Sequence, residues 1–358
     1  MRFIFKTRYD QDMNLARHGG HLFWYSLLML VLLAAPWALP EYWLAQLTFV
    51  FIYAIVAVGL MLLAGFTGQF SIGHAAFMGV GAYTEAYLAA RGWPLPLSLV
   101  CSMFLSAAVG VVVGLPALRV KGMYLGIATL SFGFIVEEVL ARWESVTGGN
   151  AGKSVVSAQV FGKPLASTES LYFLCLLCVV LSTLLVLNLL RAPAGRAFVA
   201  IRDSEISAQS MGIQLARYKF LAFAISAALA GLGGALYAHK MQYISPDQFS
   251  LVQSIDLVLM VVIGGLGSIH GAFFGAIFLI GMPQLISLAK DYLPTAVAQA
   301  AGLQNVVYGA VLIAFVMLEP MGLYGRWLKL RTWLELYPFY RRGMFRRQKS
   351  YAKSERLK

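Results

Sequence analysis

From Leu22 to Leu318 the chain is a succession of apolar runs about 20 residues long, separated by short basic, glycine-rich or proline-marked breaks. A helix of about 20 residues rises roughly 30 Å, the depth of a bilayer's hydrocarbon layer. Inside that layer every backbone N–H and C=O must be bonded within the protein, so only helices or a closed barrel can cross it. Alternating segments of barrel-strand length are absent. The pattern therefore specifies an all-α, polytopic transmembrane bundle. Charge content agrees: 12% of the residues are charged, against the roughly 25% that a water-soluble domain carries.

In order, the spans are Leu22–Leu39, Leu44–Ala64, a glycine-broken third run ending at Ala90, Leu95–Leu118, Gly122–Leu140, Leu171–Leu190, Phe220–Ala238, Leu251 to about Ile263, Ala276–Leu288 and Gln304–Leu318, about ten in all. The third, eighth and ninth either cross or re-enter. With both termini in the cytosol, the parity puts every strongly basic segment on one side: residues 1–21, Arg119 with Lys121, the central loop 191–219, and the tail 321–358. Residues 22–320 then form the membrane domain, and 141–169 an external loop. The net charge of +12 sits in these flanks and loops, where membrane orientation accounts for it, so nucleic acid is not implied. The first run is too long for a secretory signal and reads as an anchor that stays.

The central loop Arg191–Lys219 is the longest charged interruption between two spans. Phe198, Ile201, Ile206 and Met211 recur near one side at helical spacing, which predicts one or two short amphipathic helices lying on the membrane face. Two glycine-broken segments resemble each other, Ser71–Gly79 and Ser268–Gly275, and each follows an inward span. Interrupted helices expose backbone groups that can hold a polar solute at mid-membrane. That marks Gly68, Gln69, Ser71, His74, Gly264, Gly265, Gly267 and Ser268 as translocation-pathway candidates. A chance likeness of two small-residue turns is the competing reading. The GxxxG pairs Gly110/Gly114, Gly122/Gly126 and Gly271/Gly275 are read as close helix packing.

No catalytic or metal-ligating constellation is visible, and no cofactor is expected on this chain. Thr147–Ser154 approaches a phosphate loop, but a threonine stands at its first glycine, no strand precedes it and the parity places it outside. Cys175 and Cys178 have CxxC spacing without a second ligand pair, so they read as buried or lipid-facing residues. Glu85, Glu137, Glu138 and Asp256 lie toward the outer ends of spans, where the insertion cost of about 2.5–3.5 kcal/mol for a central charge falls. They are either interfacial carboxylates or, for Glu85, Glu137 and Asp256, an outer vestibule that attracts an ammonium group. His74, His239 and His270 are scattered, with no histidine–carboxylate relay at helical spacing.

Several motifs in order resemble the LivM-type permease subunit of ATP-binding-cassette importers for branched-chain and other hydrophobic amino acids. They are Gly65–Gln69 with Ser71–Phe77; Thr147–Gly149; Gly195–Ala197 with Ala200–Glu205, Ala208 and Met211-Gly212; and Gly264–Ser268. The likeness runs from about Leu44 to Gly325. It implies a multi-pass protein of the bacterial inner membrane, with a second, related LivH-type permease, two cytosolic ATPases holding ATP and Mg, and a periplasmic solute-binding protein. The central loop then resembles the segment that docks on an ATPase, which implies roles in coupling for Arg196, Arg202, Asp203, Glu205, Ala208 and Gly212. It departs from the general Glu-Ala-Ala-x-x-x-Gly pattern in having Ile206-Ser207-Ala208 before Gly212. A second departure, Asn150-Ala151-Gly152-Lys153 after Gly149, bears on substrate or partner preference. Urea and short-amide permeases are near relatives. An ion-coupled transporter working alone is the reading from another class.

Overall fold

The computed structural model describes residues 19–118, 120, 122–156, 159–160, 163–164, 167–290, 303–319 and 321–336. Most of the basic start (1–21), Arg119, Lys121, most of the 290–303 loop and most of the tail (321–358) lie outside the described residues. Each apolar run forms a helix: α1 Gly19–Ala38, α2 Glu41–Leu60, α3 His74–Ala90, α4 Leu95–Ala117 and α5 Met123–Arg142 in the first half. After a short α6, Glu144–Thr147, come α7 Thr168–Arg191, α8 Pro193–Asp203, α9 Glu205–Ser210, α10 Leu215–Met241, α11 Leu251–Gly264, α12 Ile269–Lys290, α13 Leu303–Leu318 and α14 Gly322–Leu336. Among the described residues seven helices are long and apolar enough to cross a bilayer; α3, α1 and α13 contribute shorter apolar stretches. The only sheet among them is two short antiparallel pairs: β1 Lys153–Ser154 with the distant β4 Tyr243–Ile244, and the hairpin of β2 Gln159–Val160 with β3 Lys163–Pro164.

α2 is apolar on all sides and buried on nearly all of them, which makes it the centre of the bundle. α10 packs beside it, and its small residues let α3 and α4 approach. A Cβ added at Gly234 would lie 1.9 Å from the Met78 carbonyl oxygen, and one at Gly110 would lie 2.5 Å from the Ala227 Cβ. The Gly110/Gly114 and Gly271/Gly275 pairs are therefore contacts between helices, whereas Gly122 meets nothing within 4 Å.

The third run is not one helix. α2 widens into a π-turn at Met61–Phe66, closed by Thr67, whose hydroxyl donates to the carbonyls of Leu62 (2.9 Å) and Leu63 (2.7 Å). Residues 67–73 are non-helical, with Gly68 at φ +71°, and α3 starts only at His74, inside the bundle. The breaks and loops gather at two ends of the bundle. Gly65, Arg202, Gly267 and Tyr324 gather at one end. At the other, β1 meets β4, Tyr243 donates to the Ala151 carbonyl, and Thr168 donates to Glu41 at 2.8 Å.

The phosphate-loop-like run is a turn. Thr147 donates to the carbonyls of Leu140 and Trp143, each at 2.7 Å, and folds α6 back on α5. Lys153 donates to the Val146 carbonyl at 2.8 Å and sits 5.1 Å over the Tyr87 ring, which Arg91 covers at 4.2 Å. Burial and the neighbouring Arg91 hold the Lys153 pKa below the usual lysine value.

Candidate functional site

The central loop joins the glycine turns at one point. Proline at the first turn starts α8, and Phe198 and Ile201 anchor it, both buried, with Phe198 edge-on to Tyr218 at 6.1 Å. This carries Arg202, at the C-terminal end of α8, to the end of the π-turn. Its Nη1 donates to the Gly65 carbonyl at 3.2 Å, across 137 residues of sequence, while Nε and Nη2 hold Asp203 at 3.1 and 3.0 Å. Glycine is needed because the parts are so close. A Cβ at Gly65 would lie 2.7 Å from the Gly267 nitrogen, and one at Gly68 would lie 3.0 Å from the Arg202 Cγ. Gly267 N–H reaches the Met61 sulfur at 3.3 Å. Four of the residues singled out from sequence, Gly68, Arg202, Asp203 and Gly267, thus meet at one junction.

The amphipathic reading of the loop needs a correction. Phe198 and Ile201 face inward, but Ile206 and Met211 are 80% and 84% exposed. Ser204 is extended (φ −162°, ψ 113°) and caps α9 by accepting from the Ser207 N–H, so the helical phase restarts there. The end of α9 is a Schellman turn: Ile213 N–H bonds the Ala208 carbonyl, Gly212 N–H bonds the Gln209 carbonyl, and Gly212 takes φ +81°. Glu205 pairs with Lys219 at 2.8 Å, and the Lys219 side chain is only 3% exposed. Sequence reasoning missed Lys219, which looked like one more flanking charge. Arg196 and Gly212 are exposed, and Ala208 is buried.

Above the junction lies a buried polar chain. Ser226 donates to the Gly59 carbonyl at 2.6 Å and so accepts from His74 Nε2 at 2.9 Å; His74 Nδ1 then accepts from Ser71 at 3.4 Å. Ser254 accepts from the Ala75 N–H at 3.1 Å and satisfies one orphan donor of α3. Gln69 is buried with neither amide atom bonded. In the second turn Ser268 accepts from Gly271 N–H at 3.3 Å, and Gly264 and Gly265 pack on Gly271 and Tyr324. The two segments differ at their histidines: His74 is enclosed, while His270 is exposed and stacks on Tyr324 at 5.9 Å.

Glu85 does not line an outer vestibule. It is fully buried and accepts from Ser98 (2.6 Å), Ser102 (3.4 Å) and His239 Nε2 (2.9 Å). This pair is not one of helical spacing: the partners lie 154 residues apart on different helices, which is why spacing along the chain does not reveal it. A legible signal existed: Ser98, Ser102 and Ser106 recur every four residues, a polar stripe on α4 that faces α3. Glu137 is half-buried and within electrostatic range of Asp247, which the sequence reading did not single out. Glu138 pairs with Arg142. Asp256 is half-buried on α11.

A bundle with two interrupted helices, joined through one loop at one end, defines a polytopic membrane permease. The family model for the permease component of branched-chain amino acid transport systems matches residues 42–316. The high-affinity branched-chain amino acid transport system permease protein LivM of Salmonella typhimurium is 32% identical over 325 residues, covering 83% of this chain and 73% of LivM. LivM of Escherichia coli is 32% identical over 305 residues, covering 77% and 68%. The autoinducer 2 import system permease protein LsrC of an Enterobacter species is 26% identical over 238 residues, 64% of each chain. No solved structure matches. The chain belongs to the branched-chain amino acid transport permease family.

Proposed function

We propose that this chain is the LivM-type subunit of an ATP-driven importer of branched-chain or other hydrophobic amino acids in the bacterial inner membrane. A related LivH-type permease completes the pathway, and a periplasmic binding protein delivers the substrate. Two ATPase subunits, which hold ATP and Mg, work it from the cytosol through α9. The observation that carries this reading is the exposure of Ile206 and Met211 on a short, capped, charged turn. Large apolar side chains held out on rigid backbone are what an apolar groove on a partner would take. ATPase closure then shifts the bundle between inward- and outward-open states, as differential binding to two states requires.

The test uses the assembled complex. Ile206→Asp with Met211→Asp should abolish co-purification of the ATPase subunits while the two permeases still co-purify. Undiminished recovery of the ATPases would refute the docking role. ATP-dependent uptake of leucine by proteoliposomes of the unsubstituted complex checks the substrate class.

A further inference from the structure

The last described helix carries an apolar stripe that outruns the bundle. Leu323, Trp327, Leu330 and Leu334 of α14 recur at i, i+4, i+7 and i+11, so they fall in one line. The line begins against protein. Leu323 packs on the core, and the ring of Trp327 lies 6.1 Å from that of Phe274 on α12, centre to centre. A Cβ added at Gly322 would lie 2.7 Å from the Gly265 backbone, so the first turn is wedged on the second glycine break. Past Trp327 the same line is uncovered: Leu330 is 50% and Leu334 59% exposed. Arg326 and Arg331 flank the stripe on its two sides, and Lys329 stands further round; all three are exposed. Arg326 is tied to Glu319 at 2.6 Å.

We propose that α14 is a docking surface for the anionic phospholipid headgroups of the cytosolic leaflet. Two physical limits place it there. Its first turns hold it to the bundle end where Gly65, Arg202 and Gly267 meet. Its cations cannot follow α12 into hydrocarbon, where each is costly, so the helix turns along the membrane surface. The uncovered half of the stripe continues the line that packs on a membrane helix, and so it points into the bilayer rather than toward a cytosolic protein. Leu330 and Leu334 then enter the acyl boundary, exposed Trp333 sits at headgroup level, and Lys329 and Arg331 reach up to phosphate groups. The sign of the surface follows from charge: from Arg326 to Lys358 the chain has eleven basic residues and two acidic ones. The inference does not depend on which solute is carried.

The experiment uses the complete complex in vesicles of phosphatidylcholine, with or without phosphatidylglycerol. A nitroxide is placed on Leu334→Cys, or on Thr332→Cys on the opposite side of the helix. Spin relaxation by oxygen, which concentrates among acyl chains, is compared with relaxation by a water-soluble nickel chelate. The labelled unsubstituted chain, with Cys101, Cys175 and Cys178, supplies the background. In phosphatidylglycerol vesicles oxygen should dominate at Leu334 and nickel at Thr332. Omitting phosphatidylglycerol, raising the salt, or adding Lys329→Gln with Arg331→Gln should each lower the oxygen-to-nickel ratio at Leu334 about threefold. Equal access of nickel to both positions, or a ratio at Leu334 indifferent to phosphatidylglycerol and salt, would overturn the proposal, and neither result needs the glutamine variants to fold. Loss of the ATPase subunits from the glutamine variant with the Leu334 ratio unchanged would overturn it too, and assign the surface to a protein partner.

Discussion

The buried pair Glu205–Lys219 ties α9 to the start of α10, and its two halves should fail unequally. The Lys219 side chain is 3% exposed and that of Glu205 is 21% exposed, with 2.8 Å between the charged atoms. Glu205→Gln removes the carboxylate and leaves the ammonium in a nearly dry place. Breaking a buried pair in this way costs about 3–5 kcal/mol, and the further contacts of Lys219 put the change at the lower end, about 3 kcal/mol. Lys219→Met keeps the long apolar stem and leaves a carboxylate that water reaches, so the cost is that of one poorly satisfied group, about 1–2 kcal/mol. The double variant should fall short of the sum of the two, because neither charge is then stranded. Thermal denaturation of the purified permease pair measures the order, and ATP hydrolysis per leucine transported measures the consequence. Glu205→Gln should lower stability more and also loosen coupling, since α9 loses its tether to α10. Equal costs, or a larger loss for Lys219→Met, would refute the assignment of Lys219 as the dry partner.

Two further outcomes test the interior. Gly65→Ala puts a methyl 2.7 Å from the Gly267 backbone nitrogen and should abolish uptake or assembly, whereas Gly281→Ala, which meets nothing within 4 Å, should leave both unchanged; monodispersity in detergent and uptake read this out. Ser98→Ala removes a 2.6 Å bond to a buried carboxylate and should destabilise the permease by about 1.5–3 kcal/mol, while Ser131→Ala, which affects an exposed hydroxyl bonded within its own helix, should be near neutral in the same melt.

Much of the architecture follows from composition and periodicity taken locally. A run of apolar residues as long as a bilayer is deep must satisfy its own backbone, so a helix is the outcome, and the apolar runs form helices, the third of them only from His74 onward. The glycines at Gly65, Gly68 and Gly73 weaken the helix where it breaks, although the π-turn that precedes the break depends on Thr67 and could not be read from glycine alone. The central loop was legible as a charged, helical segment. Its faces were not, because one extended residue, Ser204, resets the phase and turns Ile206 and Met211 away from Phe198 and Ile201.

The sequence by itself determined that this chain is a helical membrane bundle and where its helices break, because those properties depend on neighbours in the chain and on the solvent. Tertiary structure alone decided that Arg202 holds the Gly65 carbonyl, that Glu85 is enclosed with His239, and that Asp256 meets no ion-pair partner among the described residues. Each depends on how helices far apart in sequence are rotated about their axes, and a half-turn of α3 would leave every local pattern intact while taking Glu85 away from Ser98 and His239.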